Sequence, residues 1–242
     1  MLRPLPLLGG NNGTVGQINS RGEISGWAET ATIDPDCAPP QKLDFEAVVW
    51  GPRQGDLRRL RPLSGDTVSM SIWINDRGQA VGTSGTCADT GILPLGHGAH
   101  AVLWDTNGSP LNIGMTNPAE EFGGIALGIN NEGQVVGAAT LPDGSLVAFL
   151  WSSQTGMRKL LPLPGNIASG AVSINDHGDA VGQSFDTNGI PSPVIWRKGR
   201  QPRNLNDLAP GSSLFLLWPT AINARGEISG FGVTPDGVAR KP

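Results

Sequence analysis

The chain has 242 residues, 35 of them glycine and 20 proline, with charged side chains at only 16% and a formal net charge of −4. Frequent turn residues and sparse charge exclude long solvated helices and point to short strands joined by many reversals. Seventeen basic residues stand against 21 acidic ones without a dense Lys/Arg run, which argues against a nucleic-acid surface, and no apolar run approaches the ~20 residues of a membrane span.

The chain opens on Leu2–Gly9, an apolar strand interrupted by Pro4 and Pro6. Those prolines do not suit a signal peptide, so the expectation for an exported protein is a leader already removed. Next comes Ile18-Asn-Ser-Arg-Gly-Glu-Ile-Ser-Gly26, an INxxGxxxG phrase that recurs at 74–82, 129–137, 174–182 and 222–230, with the asparagines 45 to 56 residues apart. That period belongs to propeller blades rather than helical solenoids. Each phrase reads as a hairpin: Asn opens a type I turn by bonding backbone two residues on, and Gly supplies the positive φ that closes a three-residue loop with a bulge.

After the first hairpin the chain runs from Trp27 to Glu46, an insertion holding Cys37 and the carboxylates Glu29, Asp34, Asp36, Asp44 and Glu46 against Lys42 alone. Then comes Ala47–Trp50, an unbroken apolar strand, repeated as Ala101–Trp104, Ala148–Trp151 and Pro193–Trp196. Apolar runs without polar alternation suit a sheet covered on both faces, as a blade is by its neighbours. Their tryptophans belong to the core. Trp27, Trp73 and Trp218 fall outside that register and are better candidates for a ligand platform.

The second repeat inserts Thr83 to His100, with Cys87, Asp89, His97 and His100. His97 and His100 have no third ligand fixed nearby, so no metal site is expected. Asp105–Gly108 and Asp186–Gly189 lack the oxygen ligands of a calcium loop and read as turns. A third insertion holds Asn117–Gly124, with Glu120, Glu121 and Phe122. The remaining repeats are economical, with Pro142-Asp-Gly144 and Pro235-Asp-Gly237 as tight turns, and His177 sits in the turn of the fourth hairpin. A glycine-containing turn such as Lys198-Gly199 and then a leucine strand, Leu160–Leu163 or Leu205–Leu208, complete four strands per repeat, A to D.

The end of the chain supplies strands A, B and a shortened C, Val238–Arg240, while Leu2–Gly9 is a D strand without an A, B or C before it. The expected fold is therefore all-β: one domain, 1–242, a five-bladed β-propeller of four-stranded antiparallel blades whose N-terminal strand completes the last blade.

The INxxGxxxG and AxxW phrases resemble the HAF-type extracellular repeat family, whose triplet positions here read Glu46-Ala47-Val48, His100-Ala101-Val102, Val147-Ala148-Phe149, Ser192-Pro193-Val194 and Val238-Ala239-Arg240. The resemblance implies export, to an extracellular or periplasmic place, and a propeller. It carries no catalytic residue.

The departures between repeats locate the candidate site. From the last glycine of each hairpin phrase to the next apolar strand the chain advances 21 and 19 residues in the first two repeats, but 11, 11 and 9 in the others. Long irregular chain in a compact fold is more often functional than idle. Strand direction puts B-to-C and D-to-A loops on one rim, so all three insertions share the rim over blades one to three. Cys37 and Cys87 are expected to form a disulfide there. Asp34, Asp36, Asp44, Glu46, His97, Glu120, Glu121, Phe122, Trp73 and Trp218 are the candidate ligand contacts.

The chain contains no GxSxG, HExxH or glycine-rich phosphate loop. The favoured function is a monomeric secreted binding module for a glycan or a cell-surface or matrix protein, without cofactor. The alternative is a glycosidase-like enzyme with paired carboxylates near the central channel.

Overall fold

The structure is a computed structural model; it describes residues 4–88, 99–114, 123–234 and the backbone of 239–240. Two compact units divide the chain, Met1–Ala126 and Leu127–Pro242. The first holds two four-stranded antiparallel sheets, each in chain order: β1 (Gly9–Ile18), β2 (Ile24–Ile33), β3 (Leu43–Trp50) and β4 (Leu57–Leu60), then β5 (Val68–Ile74), β6 (Ala80–Gly85), β7 (His100–Trp104) and β8 (Pro110–Asn112). The division falls inside β9 (Gly123–Ile129), which forms a sheet with β10 (Val135–Thr140), β11 (Leu146–Ser152) and β12 (Gly156–Leu160). The second unit continues with β13 (Ala168–Ile174), β14 (Asp179–Phe185), β15 (Pro191–Arg197) and β16 (Pro202–Asn204), a single helical turn α1 (Leu205–Leu208), and a sheet of β17 (Phe215–Ile222), β18 (Ile228–Val233) and β19 (Ala239–Arg240). These five sheets are the blades of a β-propeller.

The repeated phrase explains itself in atoms. Asn19 pairs with Glu23 through backbone, its N–H donating to the Glu23 carbonyl at 2.9 Å, and its side-chain Oδ1 accepts the N–H groups of Arg21 and Glu23 at 3.0 and 2.9 Å. Asn175 accepts those of His177 and Asp179 in the same way. The turn glycines stand at φ between 75° and 82° in all five copies, where a Cβ is strained. The last glycine has a different reason. A Cβ on Gly82 would lie 1.9 Å from the Met70 carbonyl oxygen, and one on Gly182 2.0 Å from that of Gly170, because strand A bulges against strand B at this point.

The same asparagine joins one blade to the next. Asn19 Nδ2 donates to the Asn75 carbonyl at 3.0 Å, Asn130 to Asn175 at 2.9 Å and Asn175 to Asn223 at 3.1 Å. Buried serines repeat the device within the interior: Ser69 Oγ accepts the Ala47 N–H and donates to the Leu60 carbonyl, and Ser169 does so between Ala148 and Leu160. The strand-C tryptophans are core, as expected. Trp50, Trp104 and Trp196 are almost fully buried, and each donates its indole N–H to a carbonyl of the segment preceding its blade: Pro6, Arg61 and Leu161. Pro6 thus stands toward the first sheet as the D segments stand toward the sheets that follow them, although residues 4–7 make no ladder.

Three expectations need correction in detail. Leu160–Leu163 is not the D strand, which ends at Leu160; Pro162 cannot donate to a ladder. Leu205–Leu208 is helix, because Asn204 caps it by accepting the Asn206 N–H at 2.9 Å, and the D strand there is Pro202–Asn204. The span from Trp27 to Glu46 is mostly sheet: β2 runs on to Ile33 and β3 begins at Leu43, leaving 34–42 as the loop.

Candidate functional site

The described part of the candidate site is the end of the β2–β3 hairpin with the segment behind it. Its base is a small apolar cluster of Phe45, Val68 and Cys87, against which Trp27, Cys37 and Met70 pack, with the rings of Trp27 and Phe45 5.2 Å apart at 51°. The Cys37–Cys87 disulfide is formed, its Cα atoms 4.8 Å apart, and it ties the first blade's loop to the end of β6. Asp34 makes backbone bonds to Lys42 and Cys37 that square off the loop.

Asp34 and Asp44 face each other across this hairpin. Asp34, only 7% exposed, accepts the Asp36 N–H at 2.8 Å and the Thr67 hydroxyl at 3.1 Å. Burial alone would raise its pKa, but these donors and a hydrogen bond from the Asp44 carboxyl hold it below the usual carboxylate value. Asp44 goes the other way. Burial, its bond to Asp34 and the charges of Asp34 and Glu46 push its pKa up to about 6. The pair therefore shares one proton, and Asp44 Oδ1 is buried without a hydrogen-bond partner.

Glu29, 3% exposed, is a positioning group that motif reasoning missed. Its carboxylate accepts the N–H groups of Asn11 and Asn12, the Asn12 amide and the Gln41 amide, at 2.9 to 3.1 Å. Burial opposes its charge, yet these four donors keep its pKa below the usual value. Gln41 also donates to the Leu43 carbonyl at 2.6 Å, so the loop is held from within. Nothing in the sequence marked Thr67 or Gln41.

The remaining candidates separate. Asp36 is exposed at the loop tip. Glu46 sits in a two-point ion pair with Arg59, whose Nε donates at 2.8 Å. His100 Nδ1 lies 3.2 Å from Asp66 Oδ2, which also accepts the Ser84 hydroxyl at 2.6 Å; His100 is thus tied into its own blade. Trp73 is half-buried on β5. Trp218, in the second unit, is 40% exposed; it meets Phe185 edge-on at 6.5 Å and lines an apolar cleft of about 250 Å³ with Leu216, Phe231, Ile195 and Leu208. His97, Asp89, Glu120, Glu121 and Phe122 lie outside the described residues. The two Asp-Thr-Asn-Gly segments are turns: Asp105 and Asp186 each accept two backbone N–H groups two and four residues on.

No family model matches the chain, and no curated protein matches it. Solved structures do. It is similar to a puromycin-hydrolyzing peptidase of Mycobacterium tuberculosis, at 16% identity over 96% of this chain and 36% of that one, with a TM-score of 0.52. It is similar to a Pyrococcus horikoshii acylaminoacyl peptidase, at 12% identity over 96% and 38%, TM-score 0.53, and to a TolB-assigned protein of Agrobacterium tumefaciens, at 11% over 89% and 79%, TM-score 0.52. The chain spans little more than a third of the two peptidases. At such identities the likeness is one of fold.

Proposed function

We propose that this protein is a secreted recognition module of the HAF-repeat type, which binds a glycan or a cell-surface or matrix protein through the insertion-bearing rim of its first blades. The observation that carries the reading is the pinned acidic hairpin. Where the third and fourth blades close strands B and C with a short turn, the first extends both strands, fixes the loop by a disulfide to the second blade, and bonds it internally through Glu29, Gln41 and Asp34. Such preorganisation removes ordering cost from binding. The disulfide suits an oxidising compartment, and among the described residues no helix is long and apolar enough to cross a membrane.

The carboxylate geometry favours binding over glycoside hydrolysis. Glycosidases hold their two carboxyls about 5 to 9.5 Å apart so that a sugar bond or a water fits between them, whereas Asp34 and Asp44 are hydrogen-bonded to each other. A glycan and matrix-protein array screened alongside hydrolysis assays on the same compounds tests the reading. We expect binding without turnover, little changed by Asp36→Asn or Asp44→Asn alone and weakened by both together. Turnover, or binding that ignores both the double variant and reduction of the disulfide, overturns it.

A further inference from the structure

A second surface, in the other unit, has opposite charge. Four cations, Lys159, Arg197, Arg200 and Arg203, line an open groove of about 680 Å³ with Leu161, Ile195 and Pro202. No carboxylate lines it, none of the four cations makes an ion pair among the described residues, and all four side chains are exposed. Asp179 stands opposite Arg197 in the β14–β15 register without pairing to it. Asp143, whose pKa its bonds to Ser145 and, to a lesser degree, the Lys159 charge lower, offsets part of the Lys159 charge; with Arg197, Arg200 and Arg203 the cluster is still a focused positive field in a chain of net charge −4.

The local backbone adds an independent sign. Lys198 and Gly199 are the central residues of a turn in the four-residue connection between β15 and β16, closed by the Arg200 N–H on the Arg197 carbonyl at 3.0 Å, and both have positive φ, 52° and 66°. Asn, Asp or Gly normally fills the first place of such a turn. Lys198 is the one non-glycine residue at positive φ among the described residues; it does not line the groove itself, but the strained turn it forms presents Gly199 and Arg200, which do. Arg158 reaches over the turn, with its Nη2 3.4 Å from where a Cβ on Gly199 would stand. The equivalent C-to-D turns of the first two blades carry Asp56 and Asp105 instead.

We propose that this groove, between the end of β12 in blade three and the C-to-D turn of blade four, binds an acidic polysaccharide. Guanidinium forks match carboxylate and sulfate groups, and the exposed Leu161 side chain offers an apolar contact for the C–H face of a sugar ring. No aromatic side chain lines the groove, so single-stranded nucleic acid would lack a stacking platform. The disulfide elsewhere in the chain suits an oxidising compartment, where acidic glycans are the accessible polyanions. This site is separate from the acidic hairpin, and its failure leaves that reading untouched.

The test is titration of the full chain with dextran sulfate and polygalacturonate, with neutral dextran and single-stranded DNA as comparators. Arg200→Gln/Arg203→Gln is compared with Arg53→Gln/Arg61→Gln, which removes the same charge from exposed positions elsewhere; thermal melts confirm folding, and Lys159→Gln serves if the first pair fails to fold. The expected result is salt-sensitive binding to at least one acidic polysaccharide but not to neutral dextran. Removal of the groove cations should weaken it about tenfold or more, against less than about threefold for the control pair. Equal weakening by both pairs, equal or tighter binding of DNA, or no binding of either acidic polysaccharide at low salt overturns the proposal.

Discussion

Replacing Asp44 with Asn gives the most informative stability measurement. Its carboxyl is held near a pKa of about 6 from an ordinary value of 3.8, so between those values the folded chain binds a proton that the unfolded chain has released. Stability conferred by that proton is present at acid pH and declines as pH rises through about 6. Taken at face value, the shift corresponds to about 1.4 kcal/mol between about pH 5 and about pH 7.5. Asp44 is partly exposed, and solvent screening reduces this to about 0.5–1 kcal/mol. Asparagine keeps a donor toward Asp34 and cannot ionise. Urea unfolding of wild type and Asp44→Asn across that pH range should show the variant gaining relative stability as pH rises. Asp34 and Glu29, held below their ordinary values, lose their contributions only at more acid pH. A wild-type-minus-variant difference that is flat from about pH 5 to about pH 7.5, or that runs the other way, refutes a shared proton between Asp34 and Asp44.

Reducing Cys37–Cys87, or Cys37→Ser/Cys87→Ser, should cost about 2–4 kcal/mol, since the bridge closes a loop of 50 residues; thiol labelling of unfolded, unreduced protein should find no free cysteine. Gly82→Ala should cost about 3 kcal/mol or more, because the Cβ meets a backbone oxygen that belongs to a bulged strand and cannot swing away; a shift of under about 0.5 kcal/mol in urea unfolding would contradict the stated contact. Asn175→Ala leaves two N–H groups and the Asn223 carbonyl without their partner in a site only 4% exposed, and should cost about 2–4 kcal/mol. Asn175→Asp keeps the acceptor and should cost less in the same assay.

The blade framework was legible because its signals are local. Asn and Gly in INxxG act on backbone within five residues, so the sequence alone specifies the turn, and AxxW specifies a doubly covered strand. Errors arose where tertiary partners decide. Leu205–Leu208 has the same apolar look as a strand, but the Asn204 cap starts a helical turn. The Thr30–Ile33 segment reads as insertion, yet pairing of Ile33 with Leu43 continues the sheet through it. The disulfide was legible from loop placement. The Asp34–Asp44 proton was not, because residues ten apart come face to face only through the β2–β3 register.

The basic groove shows the same limit more sharply, and shows why function on this scaffold escapes motif reading. In chain order Lys159 and Arg200 are far apart and neither stretch looks like a nucleic-acid or polyanion signal. They meet because β12 and the β15–β16 turn belong to successive blades, and blade contact is made by groups that recur along the chain: the Asn amide to the next Asn carbonyl, Ser69 and Ser169 between strand C and strand D of the preceding blade, and the indole N–H of Trp50, Trp104 and Trp196 to the preceding segment. These contacts use backbone partners, so they hold whatever side chains occupy the blade ends. The ends are therefore free to diverge, toward carboxylates in the first blade and guanidinium groups in the fourth, without cost to the packing between blades. Each repeat thus specifies the shared contacts by itself, whereas a site formed across successive blades becomes visible only when their ends are placed side by side.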